Sequence, residues 1–401
     1  MRDFQRISTK LDKFRPSLTL ALKALVQERH TAGMPVYDFG LGETKGHLNP
    51  EIRAAGEQAF REEATMYADP GGLPELRRAV LRWLGLEGVY GAEDVVITTG
   101  AKQALLNTFM AIANPADVFL FDAAPWVSYQ PLAVMAYATP VMVLPRAGNR
   151  LLIEPDDLER NIRLRPHARM FLLNNPVNPT AQVYDAATVA ELARVCARHG
   201  VYFVLDRLYW KLVFDGDSFP EPPLTDEVLP WLVQIDGMSK NFRRAGGLRI
   251  GWSVGPRDVT QAMVNLQSHY TSGPSVPSQR AALAALESNY DFTLVSDLQR
   301  KRDLLLGAAR QMPHVEVWET PATFYSFWDV TGVFGLRTPE GKQLADSDDV
   351  AAYLCTAAGV VTASGCGFMQ DGFLRLAFDI PDQEIVEGMR QARRALEALE
   401  G

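Results

Sequence analysis

Between residues 94 and 206 the chain alternates between two kinds of segment, and that alternation limits the folds open to it. Short apolar runs at 94–98, 118–122, 141–144, 170–174 and 202–206 alternate with helix-period stretches such as 102–113 and 187–199. Runs this short, rich in Val, Leu, Phe and Ile, read as strands, and they lack the polar alternation of a strand with one wet face. A strand apolar on both sides must be covered on both sides, which calls for a mostly parallel sheet with helices on each face. Two further runs, 232–235 and 250–254, extend this sheet to about seven members. The predicted fold class is α/β.

The flanks read differently. Helical spacing is expected over 17–30, ending at Gly33 and Pro35, and over 50–63 through Ile52, Ala55, Ala59 and Phe60. A turn at 67–72 precedes a helix at 74–84, and the stretch 39–46 is turn-rich with glycines that let backbone approach a neighbour closely. Beyond residue 267 the rhythm ends: 279–312 reads as helix, 316–329, 360–362 and 373–378 as strands of a second sheet, and 382–399 as a closing helix. The expected organisation is a large domain at 50–290 and a smaller α+β domain built from 1–49 and 291–401, with the functional cleft between them.

Composition removes several classes of function. A net charge of −8 leaves no basic footprint for nucleic acid. No apolar stretch nears the roughly eighteen residues of a membrane span, and the charged first thirty residues lack a secretory signal, so a cytoplasmic protein is expected. Cys196, Cys355 and Cys366 are odd in number and far apart, which suits free thiols, and the six histidines show no metal-ligand spacing.

Several residues carry candidate chemistry. Lys240 lies between the runs 232–235 and 250–254, on an expected loop, in a chain with only nine lysines against thirty-one arginines. A neutral lysine amine is a nucleophile toward carbonyl carbon. Gly100 precedes the helix starting near Lys102, where free amides and the helix dipole suit a phosphate. Asp206 ends a wholly apolar run at the sheet edge where open parallel sheets bind ligands, with Tyr209 three residues on. The run Asn174-Asn175-Pro176-Val177-Asn178-Pro179-Thr180 fixes an extended, turn-bound backbone that aims amides outward from a strand end. Each alone also has an ordinary reading: a surface lysine, a common strand-glycine-helix junction, an acid that caps the next helix.

In order along the chain, Tyr67 with Gly71-Gly72, the 99–105 run, Trp126-Val127-Ser128-Tyr129, Asn174 to Thr180, Asp206 with Tyr209, Ser239-Lys240, Arg249 and the 373–376 run resemble the fold-type I pyridoxal phosphate enzymes, the class I/II aminotransferases. The resemblance implies that Lys240 holds pyridoxal 5'-phosphate as an internal aldimine and shuttles the Cα proton, and that Asp206 keeps the pyridine nitrogen protonated. Asn178 and Tyr209 would donate to the cofactor O3′, and Trp126 would stack on its ring. Gly100, the amides of Ala101 and Lys102, Ser239, Arg249 and Tyr67 of a second subunit would hold the phosphate, which makes a homodimer part of the site. Arg375 would bind the substrate carboxylate with Asn178 and the backbone at Gly42, and Lys102 would meet a distal carboxylate.

The expected reaction is transfer of an amino group between an L-amino acid and a 2-oxo acid, with no metal. The alternative is elimination, cyclisation or oxidation of an amino acid on the same cofactor. Four departures from the family pattern stand out: Ala181 for glycine, Arg207 for an acid, Gly237 for a serine, and one extra residue between Lys240 and Arg249.

Overall fold

The structure is a computed structural model that describes residues 18–401 except Ala147 and Gln311. The sequence reading of residues 1–17, including the helix start at Ser17, lies outside the described residues.

Helix α1 (Leu18–Thr31), the short strand β1 (Tyr37–Asp38), α2 (Pro50–Arg61) and α3 (Pro74–Leu84) lead into the alternating region. That region runs β2 (Val95–Thr98), α4 (Ala101–Ile112), β3 (Val118–Phe121), α5 (Tyr129–Met135), β4 (Thr139–Met142), α6 (Pro155–Arg163), β5 (Ala168–Asn174), α7 (Ala186–Arg198) and β6 (Tyr202–Asp206). It closes with β7 (Leu232–Gly237), the one-turn helix α8 (Met238–Asn241) and β8 (Gly251–Val254). The seven strands form one sheet in the order β2-β8-β7-β6-β5-β3-β4. Strands β3 to β7 pair in parallel, whereas β8 runs antiparallel to both β2 and β7. Strand β8 starts at the sheet edge where β7 ends, so the chain turns straight back without a crossover helix.

The expected burial on both faces is met by alternation within each strand. Phe119, Phe121, Met170, Leu172 and Val204 pack on one face with Leu105 and Phe109 of α4. Leu120, Phe171, Leu173, Phe203 and Leu205 pack on the other with Leu158 of α6 and Val189 and Leu192 of α7. Each such side chain contributes about 1.5–3 kcal/mol. Local signals set the helix starts: the Asn49 carboxamide accepts from the Glu51 amide at 2.8 Å ahead of α2, and Asp185 accepts from Thr188 at 2.9 Å ahead of α7.

Three further helices follow, α9 (Arg257–Ser268), α10 (Val276–Glu287) and α11 (Thr293–Ala309). Then come β9 (Glu316–Val317), β10 (Tyr325–Asp329), α12 (Ser347–Ala358), β11 (Val360–Val361), β12 (Ala363–Ser364), β13 (Phe373–Ala377) and α13 (Asp382–Glu397). The second sheet is antiparallel in the order β12-β13-β10-β9, and β1 pairs in parallel with β11. A separate core joins this sheet to α11, α12 and α13 through Leu298, Leu305, Trp328, Leu354, Leu374, Leu376 and Met389, and Phe39 from the N-terminal side enters it.

Five expectations need correction, the first being that 360–362 joins the second sheet, since β11 pairs with β1 in a separate two-stranded sheet. Lys240 sits on α8 and not on an irregular loop. The helix expected across 279–312 breaks at 288–292, where the Asp291 carboxylate takes the Thr293 amide at 3.0 Å and starts α11 afresh. Strand β4 occupies 139–142 and not 141–144, because pairing begins at Val118 with Thr139 and Leu144 is left exposed. The segment 316–329 is strand only at its two ends.

Candidate active site

The ends of β5, β6 and β7, the N-terminus of α4 and strand β13 of the second sheet meet at a cavity of about 590 Å³. Its walls hold Gly42, Ala101, Lys102, Trp126, Asn178, Asp206, Tyr209, Ser239, Lys240, Arg249 and Arg375, residues drawn from every part of the chain. A larger hollow of about 750 Å³ between residues 46–53 and 288–294 contains none of the predicted site residues.

At one end of the cavity, Gly100 begins α4 with φ +80°, a left-handed conformation that suits glycine. A Cβ there would come within 2.4 Å of the Arg249 Nη2, so the missing side chain makes room for that guanidinium. Arg249 is anchored to the Gly246 carbonyl at 2.9 Å. The amides of Ala101 and Lys102 belong to the first helical turn and have no intrahelical acceptor. Two free amides, a helix dipole and a guanidinium form a cradle for a dianion.

At the opposite wall Asp206 is buried, and its carboxylate accepts from the Tyr129 hydroxyl at 2.7 Å and the Leu208 amide at 3.2 Å. Burial pushes its pKa up from 3.8 to about 6, against the opposing pull of these donors and of the Lys240 cation. The folded chain therefore holds this proton at pH values where the unfolded chain has released it. Without a cationic partner, stability from this group falls as pH rises from 3.8 to about 6, and a cation bound beside the carboxylate reverses that loss.

Arg375 projects from β13 and is 7% exposed. Its Nη1 donates to Asn178 Oδ1 at 3.0 Å and its Nη2 to the Gly40 carbonyl at 2.9 Å, while its Nε is buried without a partner. Its guanidinium lies 4.3 Å from the Tyr325 ring centre and 5.0 Å from that of Phe368. Asn178 also donates to the Tyr209 hydroxyl at 3.4 Å, and Tyr209 and Tyr325 share a hydrogen bond at 3.0 Å. The Lys240 ammonium donates to the Gly42 carbonyl. Lys102 lies 5.0 Å from the Trp126 ring centre, and Trp126 meets Tyr129 edge-on. The cavity wall desolvates one side of the Lys102 ammonium, and that burial, with Arg249 and Lys240 nearby, lowers its pKa.

Tyr67 is the one predicted site residue that stands apart: it is 95% exposed and outside the cavity. Three residues that sequence reasoning left without a role belong to the site. Tyr129 holds Asp206, Tyr325 holds Tyr209 and faces Arg375, and Thr44 ties the cavity mouth to the Phe242 carbonyl at 2.9 Å. Tyr129 carried a signal, three residues after Trp126 at a helix start. Tyr325 carried none, since only the pairing of β10 with β13 brings it there.

The departures at 207 and 237 have packing explanations, and nothing in the structure explains the one at 181. Arg207 is fully buried and points away from the cavity: it forks onto Glu221 with two bonds of 2.7 Å, donates to Gln234 at 2.6 Å, and lies between the rings of Trp210 and Phe219 at 4.6 and 4.7 Å. It also provides positive charge for buried Asp236, whose pKa burial nonetheless raises to about 7. Ala181 is buried at φ +60°, where glycine is the easier choice. Gly237 pairs with Gly251 across β7 and β8, and a Cβ there would meet the Gly251 Cα and the Ile250 carbonyl at 2.9 Å. Gly237→Ser is accordingly expected to lower stability by about 1–3 kcal/mol, read as a shifted denaturation midpoint. The extra residue before Arg249 is taken up by a 3-10 turn, Ala245–Leu248, flanked by left-handed Arg244 and Arg249.

An amine, a buried carboxylate, unpaired helix amides beside a guanidinium, and an arginine fork thus line one cavity. The chain belongs to the class I and II aminotransferases: the profile of the family Aminotransferase class I and II matches residues 35–391. It is 32% identical to the aspartate/prephenate aminotransferase of Cereibacter sphaeroides, over 95% of this chain and 96% of that one. It is 31% identical to the aspartate aminotransferase of Rhizobium meliloti, over 95% and 93%. A crystal structure of the Rhizobium meliloti enzyme superimposes with a TM-score of 0.92 at 29% identity, covering 99% of this chain and all of the other. The Thermus thermophilus aspartate aminotransferase with maleate gives 0.89 at 27%, covering 98% and 100%. The protein is a transferase of amino groups.

Proposed function

We propose that the cavity binds pyridoxal 5'-phosphate and moves an amino group between an L-amino acid and a 2-oxo acid, with glutamate and 2-oxoglutarate as the shared pair. The observation that carries this reading is the convergence of Lys240, Asp206 and Arg375 on one cavity beside the α4 cradle. The fit is supported by the Arg249 guanidinium that Gly100 admits beside the α4 amides and by a carboxyl at Asp206 that gains from a cationic neighbour. When bound, the cofactor supplies an electron sink that amino-acid side chains lack.

The chain's own residues do the rest. Lys240 supplies the amine that holds the cofactor aldehyde and moves the proton at the substrate Cα. Asp206, held by Tyr129, would pair with the ring nitrogen of the cofactor and favour its protonated form. Asn178 and Tyr209 would donate to the cofactor O3′, Trp126 would stack on its ring, and the amides of Ala101 and Lys102, Ser239 and Arg249 would hold its phosphate, with Gly100 at the start of the helix. Arg375 takes the α-carboxylate in its fork, beside Asn178 and Gly42. The exposed Tyr67 reaches the phosphate of a second copy, so the working unit is a homodimer with shared sites, acting in the cytoplasm. Among the described residues, 50–290 form the large domain and 18–49 with 291–401 the small one.

Lys102 receives the distal carboxylate of a dicarboxylic substrate. Lys102→Met is expected to raise KM for such donors about ten- to a hundredfold, as loss of a charged hydrogen bond would, and to leave monocarboxylic donors nearly unchanged. A single-turnover screen of amino donors on both proteins tests this, and equal losses for both donor classes would refute the assignment.

A further inference from the structure

Residues 38–46 form a strap that touches both ends of the catalytic geometry. Its Gly40 carbonyl accepts from Arg375 at 2.9 Å and its Gly42 carbonyl accepts from Lys240, so two residues of backbone span the distance between the carboxylate fork and the reactive amine. The strap is anchored at both ends. At the start, Asp38 accepts from the amides of Gly40 and Leu41 at 3.0 and 3.3 Å, and the Phe39 carbonyl accepts from the Ala377 amide at 2.6 Å. Gly42 admits no side chain, since a Cβ would come within 2.1 Å of the Tyr325 hydroxyl.

The far anchor is a buried ion pair outside the cavity. The Lys45 amide donates to Asp379 Oδ2 at 2.6 Å, and the other oxygen of Asp379 takes the Lys301 ammonium at 2.6 Å. The Asp379 side chain is 1% exposed and that of Lys301 11%. Lys301 also meets Asp297 one turn back on α11 at 3.5 Å, and Asp297 meets Arg243 at 3.4 Å. The next residue, Arg244, returns its amide to the Thr44 carbonyl at 3.3 Å. These contacts close a ring from the strap through the second sheet's helix to the segment that bears Lys240. A buried carboxylate desolvated on all sides is costly unless both oxygens are engaged, and here one engages an ammonium and the other the strap.

We propose that Asp379 is a positioning residue: through the Lys45 amide it fixes the strap that sets the spacing between the Arg375 fork and the Lys240 amine. Its role rests on the reading of Arg375 and Lys240 given above. It touches neither substrate nor cofactor, and it acts by holding Gly40 and Gly42 in register.

Two uncharged double variants test this without stranding a buried charge. Asp379→Asn with Lys301→Met keeps an oxygen for the Lys45 amide, and Asp379→Leu with Lys301→Met removes it. The probe is α-methylglutamate, which offers the fork a carboxylate but has no Cα hydrogen, titrated into protein loaded with pyridoxal phosphate. The leucine variant is expected to bind it about tenfold more weakly than the asparagine variant, the loss that one hydrogen bond to an ordering amide predicts. Amide hydrogen exchange of residues 40–46 should be faster in the leucine variant at matched melting temperature. Equal probe affinities in the two variants would overturn the proposal. Should the native protein bind the probe yet transfer no amino group, the functional reading falls and the strap result stands apart from it.

Discussion

Lys240→Ala is expected to lower turnover by about four orders of magnitude or more, because the proposed mechanism gives one side chain two tasks at once. Covalent attachment orders the reacting carbonyl, and proton transfer at the substrate Cα alone is worth about 10²–10⁴-fold. The geometry supports a full loss: Lys240 is the lysine directed at the Gly42 carbonyl within the cavity, while Lys102 is drawn toward Trp126 on another wall. Borohydride treatment of the native protein loaded with pyridoxal phosphate should fix one cofactor mass on the peptide containing Lys240, and the alanine variant should show none. A labelled peptide elsewhere in the chain would assign the amine to a different residue. Folding should be little affected, since the Lys240 side chain is not part of any core cluster.

Asp206→Asn is the second large effect, about 10²–10³-fold in turnover, the scale seen when a preorganised charge is removed from a water-poor site. The amide keeps the shape and can still accept from Tyr129, so the loss isolates charge. The protonation of Asp206 also sets a pH dependence. With its pKa at about 6, the carboxyl is neutral in more acidic solution and charged above. Cofactor affinity that depends on the negative form should therefore weaken as pH falls below about 6, and in the asparagine variant this dependence should vanish. Equilibrium dialysis of pyridoxal phosphate from pH 5 to 8 reads both curves, and identical slopes would remove Asp206 from the role.

Much of this was legible because apolar patterning and strand ends are local properties. Runs such as Phe119-Leu120-Phe121 and Phe171-Leu172-Leu173 could only be covered on both faces, and Asp206 at a strand end could be placed at the sheet edge without knowing the fold. The antiparallel course of β8 was not legible, since apolar runs carry no direction. Nor was the break at 288–292, where the sequence on both sides favours helix and Asp291 starts α11 afresh by binding Thr293.

The departures show the limit most clearly. Arg207 was one of the departures pointing to altered chemistry, yet it balances Asp236 behind the sheet, and Gly237, which bore only on the phosphate cup, lets two strands approach. Arg207 therefore weighs little in favour of elimination or oxidation. Tyr325 meets Tyr209 across 116 residues of sequence and Asp379 meets Lys45 across 334, separations that no local pattern encodes.

The most direct test of amino transfer follows the nitrogen. The protein loaded with pyridoxal phosphate is given a ¹⁵N-labelled amino acid identified in the donor screen, with unlabelled 2-oxoglutarate, in sealed vessels with and without oxygen. The account predicts ¹⁵N-glutamate equal to the 2-oxo acid formed from the donor, at the same rate with and without oxygen. Release of ¹⁵N-ammonia without labelled glutamate, or a rate that depends on oxygen, would contradict it.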